Sequence, residues 1–205
     1  MLITRFFDEL LDAAGLDRGG LFVIAGNHDV DRDAGIGLAR TLGSREEADM
    51  YFAPGRPCPH MSLKQKAFWD WFGEYFDGVR ERPVSTCGPV DVLELGGARL
   101  GVLPINSALF CQDDHDHAQL WVGRRPLEAR TNELQGLDAD LRVVLIHHPL
   151  DWLADLERTN IRAKLQVTAD VVLRGHLHET DVAQVISPQG GLVHIAAGAA
   201  YQTRK

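Results

Sequence analysis

Residues 21–29 read Leu-Phe-Val-Ile-Ala-Gly-Asn-His-Asp: an unbroken apolar run that stops at a glycine and passes at once to an amide, an imidazole and a carboxylate. A short run with no polar interruption suits a strand buried on both faces, as in a parallel sheet. The pattern recurs twice. Residues 142–146 (RVVLI) lead into His147-His148-Pro149, and residues 171–174 (VVLR) lead into Gly175-His176-Leu177-His178. Open α/β sheets gather their functional groups at the carboxyl ends of strands. Histidines clustered after three predicted strands therefore point to one shared site. Imidazole nitrogens and an Asn carbonyl are ligands for zinc, iron or manganese-like ions. The glycines before Asn27 and His176 allow the sharp turn and close approach that an ion requires.

Outward from these motifs, residues 2–14 fit a helix. Ile3, Phe6, Phe7, Leu10 and Ala14 fall at the 3–4 spacing of one buried stripe. Residues 31–90 differ in character. They carry Gly-Pro turns and one strong helical stretch, introduced by a capping-box pattern at Ser62 and Gln65. Phe68, Trp71, Phe72, Tyr75 and Phe76 follow at helical spacing, as core packing or as a substrate or partner wall. This segment reads as a cap-like insertion within one domain spanning 1–205. Strands are expected at 90–95 and 100–105, joined at Gly96-Gly97. A helix is expected from Pro126 to about Leu137, another over 149–157, and a terminal hairpin at 182–186 and 192–197. Helix and strand alternate early and strands dominate late, which implies α/β layers with mixed sheets.

Composition narrows the class. The chain has 205 residues, 45% hydrophobic and 24% charged, with a formal net charge of -8. That balance suits a globular domain and argues against a nucleic-acid surface, which needs a basic patch. It does not argue against phosphate chemistry, because bound divalent ions reverse the local sign of an acidic cleft. Cys58, Cys87 and Cys111 fit neither a disulfide framework nor a CxxC zinc site. No apolar run approaches the roughly 18 residues of a membrane span. The amphipathic, acidic start is unlike a signal peptide, so a cytoplasmic location is expected.

The ordered motifs GNHD, HHP and GHLH, each after a strand, resemble the calcineurin-like metallophosphoesterases. Asn106-Ser107-Ala108 after a further strand resembles the branch related to class III cyclic-nucleotide phosphodiesterases. The resemblance runs from about residue 2 to about residue 200. It implies a layered α/β/β/α sandwich and hydrolysis of a phosphodiester or nucleotide-type small molecule with two divalent ions (Mn, Fe or Zn). It further implies that Asn27, His147 and His176 hold one metal and His178 the other. His28 would stand beside the phosphate as acid or hydrogen-bond donor, Asp29 would orient His28, and His148 would sit behind His147.

The sequence also departs from that family. Its opening Asp-x-His and its Gly-Asp, whose carboxylate bridges the two metals, are not found before residue 27. The chain reads as starting two strands late. The expectation is one weakly held ion, unless a carboxylate of the loop 111–117 (Asp113, Asp114 or Asp116) substitutes; that loop otherwise reads as solvated or substrate-facing. A bare sheet edge beside residues 21–25 would invite self-association. The competing function is a non-catalytic remnant acting as a binding or regulatory module.

Overall fold

The computed structural model describes residues 2–188 and 190–198. Six strands form one mixed sheet: β1 (Asp91–Leu95), β2 (Ala98–Ile105), β3 (Leu141–Ile146), β4 (Val171–Arg174), β5 (Asp181–Ser187) and β6 (Gly190–Ala196), in the order β1-β2-β3-β4-β6-β5. The inner strands β2, β3, β4 and β6 run parallel, and β1 and β5 pair antiparallel at the edges. Gly96 and Gly97, at φ 61° and 85°, make the two-residue turn between β1 and β2, where the favoured hairpin geometry needs positive φ at both positions. Parallel pairing aligns the strand ends. Ile105, Ile146, Arg174 and Ala196 form one row across the sheet, so the residues after them leave the same edge.

Helices cover both faces. A methyl group at Gly101 would meet Leu134 at 2.8 Å and Leu137 at 3.3 Å, so α4 (Arg124–Gly136) lies close on one face, beside α5 (Asp155–Thr168). On the other face, Trp69 and Phe72 of α3 (Lys66–Tyr75) share a cavity wall with Pro104 of β2. The core between them includes Trp121, Phe110, Phe76, Leu103 and Ile105, all fully buried. α1 (Leu2–Ala14) and α2 (Arg45–Tyr51) pack outside α3 and the central loops. This is the expected α/β class with a mixed sheet; the described residues form a single sheet where the sandwich has two.

Several local expectations are corrected. Residues 21–25 are not a ladder strand. Arg80 occupies their flank instead: its Nε donates to the Leu21 carbonyl (3.1 Å) and its guanidinium lies 3.7 Å over the Phe22 ring. The run is apolar because Leu21 and Val23 pack against the core and Ala25 is buried, not because it pairs. Helix α1 is as expected, but its predicted stripe is not buried: Phe6 is 53% and Leu10 49% exposed. The helix turns Thr4, Phe7, Asp8 and Leu11 inward, because Trp71 Nε1 donates to Thr4 (3.2 Å) and the Tyr75 hydroxyl to Asp8 (2.8 Å). The capping box at Ser62 does not form. Gln65 is drawn into a buried amide pair with Asn106, in which Asn106 Nδ2 donates to Gln65 Oε1 (2.7 Å), while Ser62 Oγ donates to the Pro59 carbonyl. Residues 150–152 make only a 3-10 turn, and the helix expected there begins at Asp155 and runs to Thr168. The aromatic stripe is core: Trp71, Phe72, Tyr75 and Phe76 are buried.

One buried acid ties α5 to the start of α4. Glu157, 4% exposed, accepts the Val122 N–H at Oε1 (2.6 Å) and the Gly123 N–H at Oε2 (2.9 Å). Burial pushes its carboxyl up from 4.5 to about 7, against the pull of the two N–H groups. A raised carboxyl binds its proton more tightly when folded. Its contribution is therefore complete below pH 4.5 and lost as pH rises through about 7, a span worth roughly 3 kcal/mol. Glu157→Gln cannot titrate. The melting temperature of the variant minus that of the wild type should thus rise by several degrees between about pH 5 and pH 8. A difference that stays flat across that range would show Glu157 ionised throughout.

Candidate metal centre

The shared strand edge brings the motifs together. His147 follows β3, Gly175-His176 follows β4, and Gly175 N–H donates to the His147 carbonyl (3.1 Å). The turn after residues 21–25 lies directly on His147: a Cβ at Gly26 would sit 2.9 Å from the ring. Only glycine allows that contact, and it places Asn27 Oδ1 2.9 Å from His147 Nε2 across a separation of 120 residues. The His147 and His176 rings stand 5.3 Å apart between centroids. Nitrogens of His147, His148 and His176 all lie within 4.8 Å of one another, and among the described residues no carboxylate joins that group. His176 and His178 both have positive φ, 74° and 59°. Such backbone is uncommon for side-chain-bearing residues and collects at functional sites, where the surrounding structure holds it.

The two neighbouring histidines are distinguished by their partners. His148 is fully buried; its Nδ1 lies 2.9 Å from Ser107 Oγ and its Nε2 3.5 Å from Cys111 Sγ. The Ser107 oxygen also accepts the His148 backbone N–H (3.1 Å). Both His148 nitrogens are engaged within the core, whereas His147 turns its Nε2 to Asn27. Burial holds His147 down to about 4 and His148 to about 2, with the neighbouring imidazoles adding to both, and it lowers His176 as well. All three are neutral at pH 7, which leaves lone pairs available for coordination.

The remaining motif residues lie at the rim. His28, Asp29 and His178 are exposed. Asp29 accepts the Gly26 N–H (2.8 Å) and closes the turn, a different contact from the orientation of His28 that the resemblance implies. His178 lies near enough to disfavour protonation of His147 and His176. His28 and Asp29 line a cleft of about 620 Å³ with Lys64, Phe68 and Trp71 from the 31–90 segment and Phe7 of α1. The loop 111–117 is largely occupied with itself. Asp116 accepts the Gln112 N–H (2.8 Å), Asp113 the His115 N–H (2.8 Å), and Asp114 faces Arg32 (3.7 Å).

Sequence reasoning missed Trp152. Its ring packs edge-on to His176 at 4.1 Å, stacks on His148 at 5.6 Å and meets His117 at 5.4 Å. Nothing in His-Pro-Leu-Asp-Trp marks it, since a tryptophan five residues after a ligand reads as ordinary core.

The chain is similar to a metallophosphoesterase-like protein. That relative, the uncharacterized metallophosphoesterase-like protein YydB of Bacillus subtilis, is 22% identical over 191 residues, covering 87% of this chain and 37% of its own length. The chain thus spans little more than a third of that curated relative. No protein-family model matches. Among solved structures, a hypothetical protein from Thermus thermophilus aligns with a TM-score of 0.36 and 21% identity, over 56% of this chain and 42% of that one. GAP50, the anchor in the inner membrane complex of Plasmodium, aligns with a TM-score of 0.32 and 10% identity, over 76% and 45%. Among the described residues no helix is long and apolar enough to cross a membrane.

The donor set fits a divalent ion. The 2.9 Å between Asn27 Oδ1 and His147 Nε2 is close to the spacing of two ligands on one ion, given bonds of about 2.1 Å. Neutral imidazoles and an amide oxygen suit manganese, iron and zinc alike.

Proposed function

We propose that this chain carries the metal centre of a metal-dependent phosphoesterase acting on a phosphodiester or nucleotide-type small molecule. The observation that supports this best is the convergence of Asn27, His147 and His176, from three separate turns, on one strand edge with their imidazoles neutral. These three would hold one divalent ion, and His178 at the rim would serve a second. Such ions neutralise phosphoryl charge and lower the pKa of a bound water. The chain's own residues do the rest. His28, exposed at the mouth of the cleft, donates a hydrogen bond or proton to the phosphoryl group. Asp29 fixes the turn that presents His28. Ser107 and Cys111 hold His148, whose ring backs His147 and His176. The 31–90 segment caps the site, and Phe68 with Phe7 of α1 forms the apolar wall for the organic part of the substrate.

The absence of a carboxylate from the histidine group among the described residues favours a second reading, a metal-binding module that does not turn over. Hydrolysis of bis-p-nitrophenyl phosphate with Mn²⁺ separates the two. The enzyme reading expects slow turnover that chelation removes. It expects His28→Ala to cut kcat by roughly 100-fold, the usual scale for a general acid, with bound metal unchanged. Metal binding without any turnover selects the module. Turnover indifferent to both chelation and His28→Ala defeats the phosphoesterase reading.

A further inference from the structure

A further cavity, of about 390 Å³, opens on the α5 face of the sheet, between that helix and the β5–β6 hairpin. Arg162 of α5, Arg174 of β4 and His194 of β6 line it, with Gln166, Leu150 and Asp151. The register explains the meeting. His194 pairs with Val172, so Arg174, two residues on, projects from the same face. Arg174 Nη1 is buried and, among the described residues, has no hydrogen-bond partner. Only its Nη2 approaches an acid, Asp181, at 3.4 Å. Asp151, the acid of the wall, lies 3.7 Å from His117 Nε2. No ion pair engages Arg162 among the described residues. Burial, then the charges of Arg174 and Arg162, lower the pKa of His194.

A guanidinium N–H without a partner leaves Arg174 able to take a further acceptor, which it would meet by a side-chain adjustment. Guanidinium groups match oxyanions and bind them with charge-assisted bonds. Here the donors come from three elements rather than one fork, which suits a tetrahedral anion more than a planar carboxylate. The volume lies within the range of small-molecule sites and exceeds the needs of the bare ion. We propose that this cavity is a binding site for a phosphate group, separate from the histidine cluster, supplied by free phosphate or by a small phosphomonoester.

The test is a titration of the metal-free chain with inorganic phosphate, followed by NMR at the His194 ring. A parallel titration uses phenyl phosphate, and chloride at matched ionic strength is the blank. The expected result is a saturable shift with phosphate and none with chloride. Arg162→Ala, on the exposed face of α5, should weaken binding about 10-fold, the scale of one charge-assisted bond, and Arg162→Glu should remove it. His176→Ala, which strips the candidate metal centre, should leave it within about 2-fold, because the sites share no donor. Tighter binding of phenyl phosphate identifies the ester as the occupant, and tighter binding of inorganic phosphate identifies the free ion. No saturable shift, a shift equal to that with chloride, or full affinity in Arg162→Glu overturns the proposal. Loss of the shift in His176→Ala does so too, by placing the phosphate at the metal centre.

Discussion

His176→Ala should leave the chain folded and weaken Mn²⁺ or Zn²⁺ binding by at least about 100-fold, since changes even one shell beyond the ligands cost 10–100-fold. The residue is half-buried at the strand edge rather than in the core. Alanine keeps the Cβ that makes φ 74° unfavourable, so the turn gains no relief that would confuse the comparison. Gly26→Ala is the companion variant. It keeps every donor but puts a methyl group 2.9 Å from the His147 ring. The ring must move, the contact to Asn27 Oδ1 opens, and affinity should fall about 10-fold or more. His117→Ala is the control, because that ring faces Asp151 and Trp152. Equilibrium dialysis with metal analysis reads all three, with melting temperatures to confirm folding. Unchanged affinity in His176→Ala would remove the proposed centre. A loss in His117→Ala equal to that in His176→Ala would move the ligand set toward the 111–117 loop.

The meeting of Asn27, His147 and His176 was legible in the sequence for a topological reason. Parallel strands put their carboxyl ends on one edge, so residues that follow apolar runs gather without any knowledge of distance. That rule found His147 and His176 together, and it found Asn27 although residues 21–25 make no ladder. The composition of that run reported burial correctly, whereas pairing depends on a neighbouring edge that no local pattern encodes. Partner choice failed in the same way elsewhere. Gln65 suits a capping box, but its amide is complementary to Asn106, 41 residues away. The stripe on α1 is periodic, yet α3 offers hydrogen-bonding partners to Thr4 and Asp8 and leaves Phe6 and Leu10 outside. Trp152 and the Ser107–His148 contact were illegible because they are matters of side-chain direction, not of residue type.

Gly123→Ala should be among the most destabilising single methyl additions in the chain, by about 3–5 kcal/mol, combining backbone strain with overpacking. Gly123 precedes α4 with φ 87° and ψ 122°, a region that residues with a side chain avoid. A Cβ there would stand 2.5 Å from Phe52 Cδ2 and 2.6 Å from its Cγ. Phe52 has little room to yield, being buried against the rings of Tyr51 and Phe110. The Gly123 N–H cannot move away without loosening its bond to Glu157 Oε2. For a chain of this size the cost corresponds to a fall in melting temperature of roughly 10 °C. The two causes can be divided by a double-mutant cycle with Phe52→Ala, which removes the ring that the methyl group strikes. If the clash dominates, Gly123→Ala should cost at least about 1 kcal/mol less in the Phe52→Ala background, because residues in contact couple by 0.5–3 kcal/mol. An equal cost in both backgrounds assigns the effect to the backbone alone. No measurable cost in either would mean that the turn into α4 has a conformation other than the one described.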